Sequence, residues 1–370
     1  MVPVSLRVVL HQLVDGVDAD SAEVGLDIVR ALIATAPAGC DVRAIVPADA
    51  EGAVADAPGL GKLGGVTTAP LALSKLAAAW RFGLVRGVGG GLVHAPSLMA
   101  PLVRHDRVNE NDQTVVTLWD LCAWERPDQL PRSWVSWIRA MLKRAERHAD
   151  AVVVPTHAMA ERLAELSSLG GRLRVIPGAA PIGFAVPTDA VGRRRELLLP
   201  EEAVVIAGTR CDDAALAAGL SAVASLEDGV DVVVLDVPEG REPRVAELAE
   251  EVGVSVSRVH SRGALAAPDR AAVLDSARAL VAPSSLSAFP WRVVEAMALG
   301  VPVVAVASDV HREVLLDGGL FVSAAQLGEA LSQVLHEDER RRFSVRSADR
   351  GRAFSWQDHA DRVWQLHAEL

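Results

Sequence analysis

The stretch with the clearest chemistry runs from Ala279 to Val306, ALVAPSSLSAFPWRVVEAMALGVPVVAV. An apolar run ends at Pro283 and a serine-rich turn follows. A helix is expected to begin near Pro290, because proline suits a first helical turn. Glu295 falls one or two turns into that helix, and Gly300 is a usual helix stop before the next apolar run. A polar loop that feeds a helix N-terminus at the carboxyl end of a parallel strand is where α/β sheets bind anions. Amides at such a point hold a phosphate without a cation.

Other patterns lose their chemistry once their context is weighed. Gly59-Leu-Gly61-Lys-Leu-Gly64 has the spelling of a dinucleotide loop, but Ala, Asp and Pro precede it where a buried strand is required. The glycines from Gly87 to Gly91 lead into an apolar run instead of leaving one, so no NAD site is expected. The 10 histidines form no H-x-x-x-H or H-E-x-x-H array and no cysteine pair flanks them, which argues against a metal centre. No G-x-S-x-G elbow occurs, which weakens a hydrolase reading. Arg193 to Arg195 and Arg340 to Arg342 are short basic runs on expected helices and read as solvated faces. Cys40, Cys122 and Cys211 are odd in number and far apart, so neither a disulfide framework nor a zinc knuckle is indicated and a reducing cytoplasm is the natural setting.

These residues must be held by a chain of 370 residues, half of them hydrophobic, with a formal net charge of -11. That length suggests two or three domains with a large core. The acidic balance argues against nucleic acid as a partner, since a duplex binder needs a net positive face. A mean hydropathy of +0.24 raises the question of a membrane span. The best stretch, Ala296 to Ala307, is too short and contains Gly300 and Pro302, and the N-terminal MVPVSLRVVLHQ lacks the shape of a signal peptide.

Short Val/Ile runs alternate instead with Ala/Leu/Arg-rich helical stretches. The expected strands of the first half are Leu6–His11, Val42–Val46, Leu92–Pro96, Val115–Leu118, Ala151–Val154 and Leu173–Ile176. Those of the second half are Ala203–Ala207, Asp231–Leu235, Ser257–Val259, Ala279–Ala282, Pro302–Val306 and Leu320–Val322. Runs that are apolar throughout mark strands buried on both faces, hence parallel sheets built of βαβ units. Pro177 to Pro200 breaks the rhythm and reads as the junction of two doubly wound domains. Ala48 to Thr68, rich in Ala, Gly and Asp, reads as a mobile surface loop. Ser355 is a suitable N-cap for a last helix.

At this point a resemblance becomes specific. Pro283, Ser284, Phe289, Glu295-Ala-Met-Ala298, Gly300 and Pro302-Val-Val304 resemble the donor-site signature of the retaining family 4 glycosyltransferases. Four further segments agree in order: Val116-Thr-Leu-Trp-Asp120 with Pro127, Ala151-Val-Val-Val-Pro-Thr156, Arg174-Val-Ile-Pro-Gly178, and the terminal Phe354-Ser-Trp356. The resemblance covers nearly the whole chain. It implies the GT-B fold, two Rossmann-like domains with parallel sheets facing a cleft. An acceptor-side domain is expected over 1–182, a nucleotide-sugar donor domain over 183–353 and a crossover helix over 354–370.

The same resemblance assigns roles. Glu295 matches the second acid of an E-x7-E motif, which accepts hydrogen bonds from ribose hydroxyls. Ala288 and Phe289 would set backbone amides near the diphosphate or sugar, whereas Pro290 offers no N–H. Gly208, Thr209 and Arg210 follow a strand where the family places an Arg/Lys pair for the diphosphate, and Asp120 stands in the acceptor-side catalytic segment. No metal or other cofactor is implied. The expected partners are a nucleotide-sugar donor and a sugar or lipid-linked acceptor. The setting would be cytoplasmic, with peripheral contact at the inner membrane face.

Departures from the pattern cluster in the site. Ser287 replaces the first acid, so no charge there offsets the developing positive anomeric centre. Asp212 and Asp213 follow Arg210 and would repel phosphate. Trp119 replaces a histidine before Asp120, and Asp15 to Val24 lacks the family's Gly-Gly pair. Two readings therefore stand side by side. One is an active retaining glycosyltransferase in which Arg210 and helix amides stabilise the leaving nucleoside diphosphate. The other is a GT-B pseudoenzyme that partners or stabilises a second, catalytic glycosyltransferase. An epimerase or a phosphorylase of the same scaffold fits less well; the latter needs a cofactor lysine, and Lys62, Lys75 and Lys143 all lie in the first half. Trp124, Trp134 and Trp137, with Ile138, Met141 and Leu142, mark a stretch that would face either the core or a sugar or membrane surface.

Overall fold

The computed structural model describes residues 4–14, 18–50, 52–84, 87–106, 109, 111–208, 212–226 and 229–370. Its strands are β1 (Val4–Val9), β2 (Cys40–Val46), β3 (Gly65–Thr68), β4 (Leu92–Ala95), β5 (Gln113–Thr117), β6 (Ala151–Val154), β7 (Leu173–Val175), β8 (Ala203–Ala207), β9 (Val232–Leu235), β10 (Val259–Ser261), β11 (Ala277–Ala282), β12 (Val303–Val306) and β13 (Leu320–Val322). The helices of the first half are α1 (Ala19–Ala34), α2 (Ala53–Asp56), α3 (Leu73–Arg81), α4 (Cys122–Glu125), α5 (Arg132–His148) and α6 (His157–Leu166). Those of the second are α7 (Ala190–Glu196), α8 (Asp213–Ala224), α9 (Glu242–Glu251), α10 (Ala267–Asp275), α11 (Trp291–Ala298), α12 (Asp309–Leu315), α13 (Leu327–Leu335), α14 (Glu337–Gly351) and α15 (Trp356–Glu369).

The strands form two parallel sheets, ordered β3-β2-β1-β4-β5-β6-β7 and β10-β9-β8-β11-β12-β13. The expected doubly wound architecture is present in both halves. The central strands explain it. β6 and β9 are buried at every position, so both faces need helices, and a parallel strand can be reached only by a crossover.

The chain divides into two compact units. Unit 1 contains Met1–Gly178, Ser287–Phe289 and Ser355–Leu370, and unit 2 contains Ala179–Leu286 and Pro290–Phe354. The last helix, α15, thus belongs to unit 1, where it packs on α1. Ser355 caps it by accepting the amides of Gln357 and Asp358, as its sequence position suggests.

Three expectations need correction. The stretch from Ala48 to Thr68 is ordered into α2 and the edge strand β3, which pairs with β2 from Arg43↔Gly65 to Val46↔Thr68. The expected strand Ser257–Val259 begins with a single 3-10 turn, and the pairing residues are Val259–Ser261. Arg193 and Arg194 are not merely solvated: they reach Asp269 (2.8 Å) and the carbonyl of Ala272 (3.0 Å), tying α7 to α10. On α5, Met141 and Leu142 are buried, while Trp134 is exposed and stacks on Trp137 with ring centroids 5.3 Å apart. No helix of the described residues is long and apolar enough to cross a membrane.

Candidate active site

In unit 2 the strand order reverses between β8 and β11, which are hydrogen-bonded neighbours. Ligands of doubly wound sheets bind outside the carboxyl ends of strands at such a point. The loops that leave these two strands begin at Gly208 and Pro283, at neighbouring strand ends. Gly208 donates its N–H to the Leu235 carbonyl (3.1 Å), and a Cβ at this position would run into that same oxygen. Thr209 and Arg210, the residues expected to meet the diphosphate, lie outside the described residues.

The two aspartates after them have structural partners. Asp212 caps α8 by accepting the amide of Ala215 at 2.7 Å. Asp213 pairs with Arg241 (2.7 Å) and Arg244 (2.8 Å), and the hydrogen-bonded Arg244 guanidinium holds its carboxyl below the usual range. The negative charge read as repelling phosphate is thus spent partly on a helix N-terminus and partly on two arginines.

Glu295 sits in α11, but its carboxylate is buried at 2% exposure and is strongly engaged. Its Oε1 accepts from Arg270 Nη2 (2.7 Å), Arg270 Nε (3.0 Å) and Arg292 Nη1 (2.9 Å). Arg292 also forks onto Asp236 just after β9, at 2.8 and 3.0 Å. Asp236 adopts a left-handed φ of 59°, which turns the chain at the strand end so that its carboxylate meets the guanidinium. Two acids and two guanidiniums therefore form a neutral buried network that locks α10, α11 and the end of β9 together. Sequence reasoning missed Arg270 and Arg292. The i,i+3 spacing of Arg292 and Glu295 could have revealed one pair; nothing local points to Arg270, 25 residues away.

In unit 1, Asp120 follows β5 and accepts the Cys122 amide at 3.0 Å, starting α4. It forms an antiparallel bridge with Ala288. Around it the Leu121 amide donates to the Ser287 carbonyl (2.9 Å), the Phe289 amide to the Trp119 carbonyl (2.9 Å), and the Ser287 amide to Glu125 Oε2 (2.8 Å). The segment Ser287–Phe289 is thus a one-bridge extension beside the Asp120 loop. Of the two amides expected near a diphosphate at Ala288 and Phe289, that of Phe289 is taken up by Trp119. Glu125 is a third residue that sequence reasoning missed; its partner lies 162 positions away.

Trp119 donates its indole N–H to the Pro96 carbonyl (2.9 Å) and stacks on His359, with centroids 6.1 Å apart and planes 23° from parallel. Phe289 lies 6.0 Å from the same ring. Beneath this layer His94, His359 and His367 are buried, and burial pushes His359 and His367 down to about 4 and His94 well below its ordinary value. These imidazoles are neutral, and α15 is held on unit 1 by uncharged groups. Among the described residues no cluster of three His, Cys, Asp or Glu side chains has a geometry that could hold a metal ion.

Comparison with known proteins places both halves. The description "Glycosyltransferase Family 4" matches residues 24–182, and "Glycosyl transferases group 1" matches residues 201–337. An MMP alpha-(1->4)-mannosyltransferase of Mycolicibacterium hassiacum is 26% identical over 287 residues, covering 74% of this chain; the matched region spans 66% of that relative's own length. Among solved structures, sucrose-phosphate synthase from Thermosynechococcus elongatus superposes with a TM-score of 0.70 at 20% identity, covering 99% of this chain and 98% of its own. Anabaena HepE, solved with UDP and glucose, gives 0.70 at 16% identity, covering 99% and 100%. These structural likenesses establish a shared two-sheet fold.

Proposed function

We propose that this chain, whose two halves match glycosyltransferase family models, is a family 4 glycosyltransferase that moves a sugar from a nucleotide-sugar donor to an acceptor hydroxyl with retention of anomeric configuration. The observation that carries this reading is the placement of two loops in unit 2. The loops after β8 and β11 leave adjacent strands at the point of strand-order reversal, inside the segment matched by the group 1 description. The helix α11 that follows the second loop has no side-chain cap, consistent with an end that meets a phosphate.

In the proposed reaction the bond between the anomeric carbon and the phosphate oxygen breaks, and its electron pair leaves with the nucleoside diphosphate. The acceptor oxygen bonds to the anomeric carbon on the same face, and its proton passes to the departing phosphate. Amides near α11 and the Arg210 side chain would neutralise the leaving group, so no metal is required. A mannosyl group is one candidate for transfer, from the name of the mycobacterial relative, and a glucosyl group another, from the ligands of HepE.

The test is calorimetric titration of the unaltered protein with UDP, GDP and their glucose and mannose derivatives. Saturable binding of one nucleoside diphosphate, followed by product with unchanged anomeric configuration by NMR, is the expected result. Absence of binding by every nucleotide would overturn the proposal.

A further inference from the structure

We infer that unit 1 carries a separate binding site, at the amino-terminal edge of its sheet, for a small phosphate monoester that also bears hydroxyl groups, such as a sugar phosphate. A cavity of about 910 Å³ opens there, between residues 89–91 before β4, Asp112 before β5, the segment 101–106 and the last turn of α5. Small-molecule sites have volumes of about 300–1,000 Å³, so a ligand of that class fits. Every lining residue belongs to unit 1, and Asp120 follows the opposite, carboxyl end of β5. The cavity is therefore separate from the loops of unit 2 assigned to the nucleotide sugar.

The walls are chemically suited to an anion. Arg104 and Arg147 line the cavity from two different elements, both exposed, and neither guanidinium forms an ion pair or a hydrogen bond among the described residues. Planar forks of this kind recognise phosphate oxygens in pairs. His148 lies beside Arg147, and burial first, then Arg144, Arg147 and His105, push its imidazole below the ordinary value, the mark of a positive local field. Two acids share the cavity and each holds its own loop. Asp112 accepts the Gly91 amide, and Asp106 accepts the backbone and side-chain N–H groups of Asn109 at 2.9 and 2.7 Å. Their remaining lone pairs suit sugar hydroxyls. One wall is fixed in advance: His105 bonds the Val103 carbonyl and Asp150, both at 2.9 Å, and Asp150 also accepts the Thr114 amide at 2.7 Å. Such preorganisation lowers the ordering cost of binding.

Basic side chains in a last helical turn also complement the helix dipole, which by itself would account for Arg147 but not for Arg104. Calorimetric titration of the full-length protein with inorganic phosphate, glucose 6-phosphate and glucose separates the two roles, repeated on Arg104→Ala, Arg147→Ala and the double variant. Glucose 6-phosphate should bind saturably with a Kd of about 1 mM or tighter, inorganic phosphate more weakly, and glucose not at all. Each single variant should weaken glucose 6-phosphate about tenfold, with the melting temperature and the affinity for UDP or GDP unchanged. Saturating UDP or GDP should leave the sugar-phosphate isotherm as it is. If neither phosphate binds, the assignment fails. It fails too if UDP or GDP displaces glucose 6-phosphate, because binding then belongs to the nucleotide site. If Arg147→Ala only melts earlier and both single variants keep full affinity, the arginines serve the fold and the site is refuted.

Discussion

Replacing Glu295 by alanine should destabilise unit 2 before it does anything else. The carboxylate is 3% exposed at the side chain, and its partners Arg270 and Arg292 are 3% and 5% exposed, so water cannot take over its hydrogen bonds. Arg292 would keep its fork onto Asp236, but Arg270 would keep the Leu265 carbonyl (2.7 Å) and lose its carboxylate. Breaking a buried pair from one side costs about 3–5 kcal/mol. For a unit of this size each kcal/mol lowers the midpoint by about 2–4 °C, so the transition should fall by about 6–20 °C.

Scanning calorimetry of Glu295→Ala and Glu295→Gln is the assay, with Arg270→Met/Glu295→Leu as a paired control that removes charge from both sides. The control should recover part of the loss, because it leaves no uncompensated ion. If Glu295→Ala melts within about 1 °C of the unaltered protein, the buried network is not what holds α10 on α11. Should that stable variant also lose nucleotide affinity, Glu295 would be a ligand in solution, and the contacts to Arg270 and Arg292 would be those of a resting state. Loss of binding in a variant that melts early says nothing about ribose recognition.

Two further outcomes follow from the same geometry. The folded state holds His359 and His367 near 4, against an unfolded value of about 6.5, so the unfolded chain takes up protons first as the pH drops and stability is lost from about pH 6.5 down to about 4. Urea unfolding of unit 1 should weaken by about 2 kcal/mol per imidazole between pH 7 and pH 5; because His11 and His94 are pushed down as well, His367→Leu should remove about a quarter of the pH dependence, and a flat profile would refute the assignment. Asp212→Ala should cost about 1 kcal/mol through the lost cap of α8, seen as an earlier urea midpoint, while raising affinity for a nucleoside diphosphate by removing a charge from the loop after β8; an unchanged midpoint would show that the cap is not formed.

The fold was legible because most of it is written locally. β6, β9 and the first four residues of β8 are buried at every position, and such runs stand out from any helical period. β3 was illegible for the converse reason. It is an edge strand of Gly65, Val66, Thr67 and Thr68 in which the single large apolar side chain, Val66, is 45% exposed, so only its pairing with β2 makes it a strand. The site followed the same division. The loop and α11 could be placed to within a residue from Pro290 and Gly300, whereas the partners of Glu295 and Ser287 come from α10 and α4 through pairings that no local pattern encodes.

The departures from the family pattern also take on a physical order. A site that merely decays strands charge, because each lost partner leaves an ion that burial penalises. Glu295 and Asp236 are instead balanced by Arg270 and Arg292, and Asp213 is balanced by Arg241 and Arg244. Trp119, where the pattern has a histidine, stacks on a histidine drawn from α15. The Ser287 amide donates to the carboxylate of Glu125. Each of these groups has a named neighbour, and the neighbours come from α4, α9 and the residue before it, α10, α11 and α15. The pairings of Glu295 hold α11, and with it the end of the loop after β11, and a loop held at the carboxyl edge of a parallel sheet serves a bound ligand more than it serves the core beneath it.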